Sequence, residues 1–313
     1  MLQLFRGKVK AAGLVGLSIG ERHFALARMS ESNGKAILDR CLRMDVNNVQ
    51  QMRQTLQRQV EELGLQGGKC NALLTPRDYN LYLVEAPMVE EEEMRAAVRW
   101  KIKDLIDMPV EDAIIDVFPA PEDAFSGRNK MLYVVAATKT KVEQLIELCS
   151  QADLELDAID IPEMAMRNIS SHFANDDNSL GVVSLKTNGS SMNVTRGGVL
   201  YLARKINTQV GQDVLQSHNW EVMRDRLVLE IQRSLDYFES QMGQNPVSQI
   251  LLAPRLHDTQ ALCESLNEVM GVTVSPLDFA SQLASAEDIS DELKHSCMFA
   301  IGAALRSGDG AGA

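Results

Sequence analysis

The amino-acid sequence predicts an α/β protein built of two similar lobes, and three observations support this fold class. Segments that alternate apolar and polar residues, as strands do, are interspersed with segments of helical periodicity. Residues 13–29 predict two strands joined by a polar turn, and residues 180–206 predict a meander of three strands that opens in the same way. A chain of 313 residues with 45% hydrophobic content is long enough for two medium-sized lobes.

The predicted elements follow one another with clear stop signals. The strands after the first hairpin are predicted at 36–46, 71–75, 79–85, 113–118, 131–137, 155–160, 250–253 and 272–274. The helices are predicted at 48–63, 90–106, 140–151, 162–173, 219–242, 258–270 and 294–306. The helix at 90–106 begins with four glutamates, where the helix dipole favours negative charge, and it ends before Pro109.

These elements give a domain plan with one insertion. The first lobe is predicted at 11–84 plus 159–178, and the second at 179–305. Residues 85–158 form an inserted subdomain between the two parts of the first lobe, and residues 306–313 form a flexible tail. A short basic arm at the amino terminus, with Leu2, Leu4 and Phe5 between its cations, is a candidate membrane or partner contact as well as a frayed end.

Composition excludes several functional classes. The formal net charge of -12 repels phosphate backbones, so we expect no nucleic acid as partner. Five scattered cysteines without a CxxC motif predict neither a zinc site nor a disulfide framework, and they suggest a reducing compartment. We find no apolar run long enough to span a membrane, no GxGxxG or Walker A motif, and no histidine pair at metal-ligand spacing. We therefore predict no catalytic or metal-binding residues of these types.

An ordered set of segments carries a family resemblance over nearly the whole chain. The segments are VGLSIG at 15–20, the block from Ala86 to Phe118 with its proline, acidic helix start and AVRW sequence, EIQRSLDYFESQ at 230–241, and QILLAP at 249–254. In this order they resemble the PilM family of type IV pilus assembly proteins, and within it the members that serve the mannose-sensitive haemagglutinin (MSHA) pilus. The resemblance implies an actin-like fold of the FtsA/PilM type, with two lobes around a nucleotide cleft and an inserted subdomain.

The resemblance also implies a location and partners. Members of this family are cytoplasmic and lie at the inner membrane face, where they bind the N-terminal tail of the membrane protein PilN. The pair connects the motor layer of the pilus machine to its membrane parts, so membrane association is peripheral and runs through the partner. Trp100 lies off the apolar stripe of its own helix and is flanked by Arg99 and Lys103. We therefore expect these three residues to contact the tail, although Trp100 packed against neighbouring strands is an equal alternative.

The nucleotide-binding loops depart from the family pattern at three places. An actin-type site needs an acidic residue at each hairpin to hold hydrated magnesium, and glycines that let backbone N–H groups approach phosphates. Ser18 and Ser184 stand at the acid positions, and Ala253 and Pro254 replace a glycine pair. Gly20 is kept, but its counterpart in the second hairpin is Lys186.

These replacements predict a degenerate nucleotide site, and hence a protein-binding scaffold without ATP hydrolysis and with absent or weak Mg-ATP binding. An alternative is an ATP-dependent regulator in which Glu21 serves as the acid and Lys186 neutralises phosphate charge. A third interpretation, a cytoplasmic domain of GspL type from a secretion system, would normally be followed by a transmembrane helix.

Overall fold

The computed structural model describes residues 13–32, 35–125, 130–172, 178–187, 189–211, 213–255, 258–286 and 288–306. Its strands are β1 (Leu14–Ile19), β2 (His23–Ser32), β3 (Lys35–Asp45), β4 (Lys69–Leu73), β5 (Tyr79–Glu85), β6 (Ala113–Pro119), β7 (Met131–Thr138), β8 (Glu155–Asp160), β9 (Leu180–Ser184), β10 (Ser190–Arg196), β11 (Val199–Ile206), β12 (Gln249–Leu252) and β13 (Val274–Pro276). Its helices are α1 (Val49–Glu62), α2 (Glu91–Lys101), α3 (Lys139–Gln151), α4 (Pro162–Ser170), α5 (Trp220–Ser240), α6 (Thr259–Asn267), α7 (Asp291–Ser296) and α8 (Met298–Ala304). The basic arm and the tail beyond Arg306 lie outside the described residues.

The described residues form two compact units. The first unit comprises the residues up to Asp78 together with Thr138–Ala165 and Leu283–Arg306, and the second comprises Tyr79–Ala137 and Met166–Gln282. In neither unit, as far as the chain is described, does a helix combine the length and the apolar character that a membrane span requires.

The first unit is built on a five-stranded sheet of order β3-β2-β1-β4-β8. β1, β2 and β3 are antiparallel neighbours, whereas β4 and β8 run parallel to β1. Helix α8 packs directly against β1, because a Cβ atom on Gly16 would lie only 1.9 Å from the carbonyl oxygen of Ala300. The glycine in the first strand is therefore explained by close contact between two backbones.

The second unit repeats the same sheet as β11-β10-β9-β12-β13, with the same sequence of antiparallel and parallel pairs. The duplication that the two hairpins predicted is thereby confirmed. Helix α5 covers this sheet with the stripe Leu227, Ile231, Leu235 and Phe238, all of which are buried. The stripe follows the three- and four-residue spacing of an amphipathic helix.

A smaller sheet of order β5-β7-β6 belongs to the second unit. Successive residues of β7 face opposite ways, as in any strand. Leu132 and Val134 join a buried cluster with Val98 of α2, whereas Tyr133 joins the core of the larger sheet. The Tyr133 hydroxyl donates a hydrogen bond to the carbonyl oxygen of Tyr201 at 2.6 Å. The small sheet is therefore a layer between α2 and the larger sheet.

The structure divides the chain differently from the predicted domains. The inserted sheet begins at Tyr79 instead of residue 85, because β5 pairs with β7. The insertion ends at Ala137 instead of residue 158, because β8 extends the first sheet in parallel with β4. The segment Leu283–Arg306, predicted as the end of the second lobe, belongs to the first unit through α8 and β1. Hydrophobic periodicity identifies a strand but not the sheet that it joins.

Candidate functional site

The first predicted nucleotide loop is the turn between β1 and β2. Ser18 is half-buried and pairs with Ala25 across the hairpin, so a hydroxyl occupies the position where the resemblance expects a carboxylate. Glu21, the acidic residue nearest in sequence, forms an ion pair with Arg77 of the same unit. The negative charge of this turn is therefore already balanced by a neighbouring cation.

Gly20 has a packing role in this turn. Its N–H donates to the carbonyl oxygen of His23 at 2.8 Å, and a Cβ atom on it would lie 2.2 Å from Cε1 of the His23 ring. The imidazole lies directly over the glycine. The conformation of the hairpin accounts for Gly20 without any approach of the backbone to a phosphate.

The second hairpin closes on a serine. Ser184 is buried at the end of β9, and Lys186 is exposed in the turn that follows. The N–H of Lys186 donates to Oγ of Ser190 at 3.0 Å, and this hydroxyl donates back to the carbonyl oxygen of Lys186 at 3.0 Å. Ser190 thus holds the turn by reciprocal hydrogen bonds, and the Lys186 amide is used inside the hairpin.

The third loop follows β12 and offers few backbone donors. Ala253 is buried, and its N–H donates to the carbonyl oxygen of Val183 at 2.8 Å, which extends the pairing of β12 with β9. Pro254 has no N–H. The N–H of the next residue, Arg255, donates to Oγ1 of Thr259 at 2.8 Å. Three consecutive residues therefore present no backbone N–H to a ligand.

Arg255 organises this region, and sequence analysis did not identify it. Its guanidinium is buried, with 8% of the side chain exposed, and forms a two-pronged ion pair with Asp258 at 2.7 and 3.1 Å. It also donates to the carbonyl oxygens of Leu185 at 2.9 Å, Val210 at 3.1 Å, and Gly211. Its spacing of three residues from Asp258 is visible in the sequence, but its reach to two other loops is not.

Arg255 contacts Val210 and Gly211 in the loop before α5, and Glu230 binds the start of the same loop at Asn207 and Thr208. The carboxylate accepts the N–H groups of Asn207 and Thr208 at 2.7 and 2.9 Å, and the Thr208 hydroxyl at 2.7 Å. Burial alone would raise the pKa of Glu230, but these hydrogen bonds favour the ionised form and bring the pKa below its ordinary value. The Glu230 carboxylate thus accepts hydrogen bonds from the amides of this loop, while the Arg255 guanidinium donates hydrogen bonds to its carbonyl groups.

These contacts define what the loops of the second unit can do chemically. Carbonyl oxygens from three peptide groups converge on a guanidinium, whereas an anion site needs converging N–H groups. Across the described ranges, no three His, Cys, Asp or Glu side chains come together as metal ligands. The loops are organised around the protein's own Arg255.

The predicted partner residues lie on and just after α2. Helix α2 ends at Lys101, five residues earlier than predicted, and Asp104 and Asp107 follow it where the helix dipole disfavours negative charge. Trp100 is 70% exposed, which excludes the alternative of a tryptophan packed into the neighbouring strands. The ammonium group of Lys103 lies 5.5 Å from the centre of the Trp100 ring. The structure therefore brings Trp100 and Lys103 together at the surface.

Arg99 has a different position from its two neighbours. Its guanidinium donates to the carbonyl oxygens of Val110 and Ala113, which precede and begin β6. These bonds tie α2 to the edge of the small sheet. Arg99 is therefore engaged within the second unit, and it supports the surface that Trp100 and Lys103 share.

Two sheets of identical strand order, each opened by a hairpin, together with an inserted small sheet, define an actin-like ATPase fold. The chain is similar to a solved PilM–PilN type IV pilus biogenesis complex, with 21% identity, 96% of this chain and 98% of that chain covered, and a TM-score of 0.73. At this level of identity the likeness establishes the fold.

Two further similar structures have TM-scores of 0.49. One is the cytoplasmic domain of EpsL, an inner membrane component of the type II secretion system of Vibrio cholerae, with 10% identity over 91% of this chain and 93% of that chain. The other is a Bacteroides thetaiotaomicron protein with an actin-like ATPase fold and unknown function, with 11% identity over 95% and 98%. The sequence matches no protein-family model and no curated protein.

Proposed function

We propose that this chain is a cytoplasmic scaffold of a type IV pilus assembly machine of the MSHA type. In this proposal it binds the N-terminal tail of a PilN-like inner-membrane protein and connects it to the motor layer, so that it lies at the inner membrane face through its partner. The fold shared with a protein from a PilM–PilN complex and the ordered sequence segments support this assignment.

The scaffold acts without ATP turnover, and the loop at Ala253–Arg255 is the observation that carries this part of the proposal. Its amides are used internally or replaced by proline, and Arg255 fills the space between loops with a cation already paired to Asp258. Ser18 and Ser184 supply hydroxyls where magnesium coordination needs carboxylates. The residues present do not fit a hydrated magnesium ion with ATP.

The tail-binding surface is centred on Trp100. A largely exposed indole is unusual on a protein surface and is enriched among residues that anchor interfaces. Lys103 beside the ring supplies a cation for acidic groups or carbonyl oxygens of an extended peptide. Arg99 acts indirectly, since its hydrogen bonds to Val110 and Ala113 fix the helix that presents Trp100.

Isothermal titration with millimolar Mg-ATP and with a synthetic tail of the PilN-like partner tests the proposal. We expect the tail to bind without nucleotide and Mg-ATP to give no binding heat. In separate assays, Mg-ATP should cause no thermal shift and no release of phosphate. Binding of the tail only in the presence of ATP would refute the scaffold and favour the regulator that uses an altered site.

A matched pair of variants locates the tail. Trp100→Ala should weaken tail binding by ~10-fold or more, as truncation of an interface anchor does. Val222→Ala is the control, because Val222 is an apolar residue of α5 with similar exposure, 57%, in the same unit. Equal affinities of the two variants would place the tail elsewhere.

A further inference from the structure

Four of the five cysteines lie in two pairs whose members perturb each other's pKa. All five are free thiols, and the pairs are Cys41 with Cys297 and Cys70 with Cys149. Both pairs lie in the first unit. Their separations in sequence are too large for any spacing motif, so only the fold shows them.

Geometry places the Cys41 thiol at the junction of α7 and α8. Cys41 lies on β3, and Cys297 is the residue between the two helices. The carbonyl oxygen of Leu293 accepts the N–H of Cys297 at 3.0 Å and lies 4.0 Å from Sγ of Cys41. One peptide carbonyl is thus shared by both cysteines.

Cationic and hydroxyl groups surround this pair. The interaction with Cys297 and burial raise the pKa of Cys41, and the buried Lys294, which is paired with Asp291 at 3.0 Å, opposes them only in part. The charge of Arg43 favours the thiolate of Cys297. Oγ of Ser296 lies 3.8 Å from Sγ of Cys297. The hydrogen bond between the thiols lowers the pKa of Cys297 and raises that of Cys41, because one sulfur gives up its proton while the other keeps it. Cys297 is therefore the member of the pair with the greater thiolate character, which is the property of a reactive cysteine.

The second pair provides a contrast inside the same unit. Cys70 and Cys149 are fully buried, whereas Cys41 is half-buried. The interactions that shift the pKa of Cys70 are the hydrogen bond to Cys149, burial and the charge of Cys149, with no contribution from a cation. A small oxidant therefore reaches the first pair, past the half-buried Cys41, before it reaches the second pair.

We propose that Cys41 and Cys297 form an oxidation site at which a peroxide produces a disulfide between β3 and the α7–α8 junction. The Cys297 thiolate attacks one oxygen of hydrogen peroxide, the O–O bond breaks, and the departing hydroxide takes up a proton to become water. The sulfur of Cys41 then attacks the sulfenic acid of Cys297, the S–S bond forms as the S–O bond breaks, and the Cys41 thiol proton leaves with the hydroxide as a second water. Two electrons pass from the two thiols to the peroxide.

The test is oxidation of the reduced full chain under native conditions, followed by alkylation in denaturant, thiol counting and peptide mapping by mass spectrometry. We expect the thiol count to fall from five to three, with a linked Cys41–Cys297 peptide that dithiothreitol removes. A count that stays at five, sulfinic acid at Cys297 or Cys41 without a link, or earlier linkage of Cys70 to Cys149 would overturn the proposal.

Two variants make the test specific. Cys41→Ser should abolish the linkage, and this half-buried position tolerates the change better than the buried Cys297 does. Cys70→Ser should leave the linkage intact, which shows that the second pair takes no part. Linkage of Cys297 to any other cysteine in the Cys41→Ser variant would contradict the assigned pair.

Discussion

Replacement of Arg255 by alanine tests whether this side chain organises the loops of the second unit. The change removes one guanidinium and leaves two kinds of groups without their partner. Asp258, with 15% of its side chain exposed, loses its counter-ion. The carbonyl oxygens of Leu185, Val210 and Gly211 each lose a charged donor.

The magnitude follows from burial. Breaking a buried ion pair by removing one partner costs about 3–5 kcal/mol, because the remaining charge is left uncompensated. Asp258 keeps 15% of its side chain exposed and Gly211 is half-buried, so hydration recovers some of this cost, although Leu185 and Val210 are buried. We therefore expect Arg255→Ala to lower the free energy of unfolding by about 2–4 kcal/mol.

Urea unfolding followed by tryptophan fluorescence measures this loss, because both tryptophans of the chain, Trp100 and Trp220, lie in the second unit. The control is Arg95→Ala, which removes an ion pair to Asp116 in the same unit, with side chains 73% and 65% exposed. Exposed pairs contribute less than about 1 kcal/mol. If Arg255→Ala were no more destabilising than Arg95→Ala, water would be forming the hydrogen bonds to the three carbonyl oxygens in place of Arg255. The organising role of Arg255 would then be refuted.

Two further predictions concern packing and pH. Gly16→Ala should lower the free energy of unfolding by ~3 kcal/mol, measured by thermal unfolding followed by circular dichroism, because the new Cβ would meet the backbone of α8. The control is Gly271→Ala, which has open space around it and should change stability by less than ~0.5 kcal/mol. Equal effects of the two changes would contradict the close contact. Glu230→Gln should lower stability at pH 7. The folded-state pKa of Glu230 is lowered, so the difference in free energy of unfolding between wild type and variant should shrink as pH falls below the ordinary glutamate value of 4.5 and through the folded pKa. A difference that does not change with pH would exclude the carboxylate as its source.

Local periodicity predicted most of the fold. The helix predicted at 219–242 is confirmed as α5, because burial of its face at Leu227, Ile231, Leu235 and Phe238 leaves a clear three- and four-residue spacing in the sequence. In the first turn of α5 the apolar Val222 is 57% exposed, whereas Trp220 is buried and its indole N–H donates a hydrogen bond to Oγ of Ser265. A single turn at a helix end carries too little periodicity to decide between such neighbours.

The assignment of elements to units could not be predicted in the same way. Strand β8 and helix α8 have ordinary sequence patterns, and their places depend on pairing with β4 and β1, which are distant in sequence. The same limit applies to the candidate site. Ser18, Ser184 and Pro254 were visible as departures from a pattern, whereas Arg255 became significant only through its contacts with residues 44 to 70 positions away.

The second unit carries both the loops held by Arg255 and the surface around Trp100. Where a ligand orders a set of loops, its binding can bias a distant surface, and that surface must bias ligand binding to the same extent. In this unit the loop at residues 207–211 is bonded to side chains of the protein itself. Glu230 accepts hydrogen bonds from the amides at its start, and Arg255 donates hydrogen bonds to the carbonyl oxygens at its end. A loop whose polar groups are bonded to the protein's own side chains leaves little for a nucleotide to order. Under the proposed function, we therefore expect the affinity of the chain for the PilN-like tail to be independent of ATP.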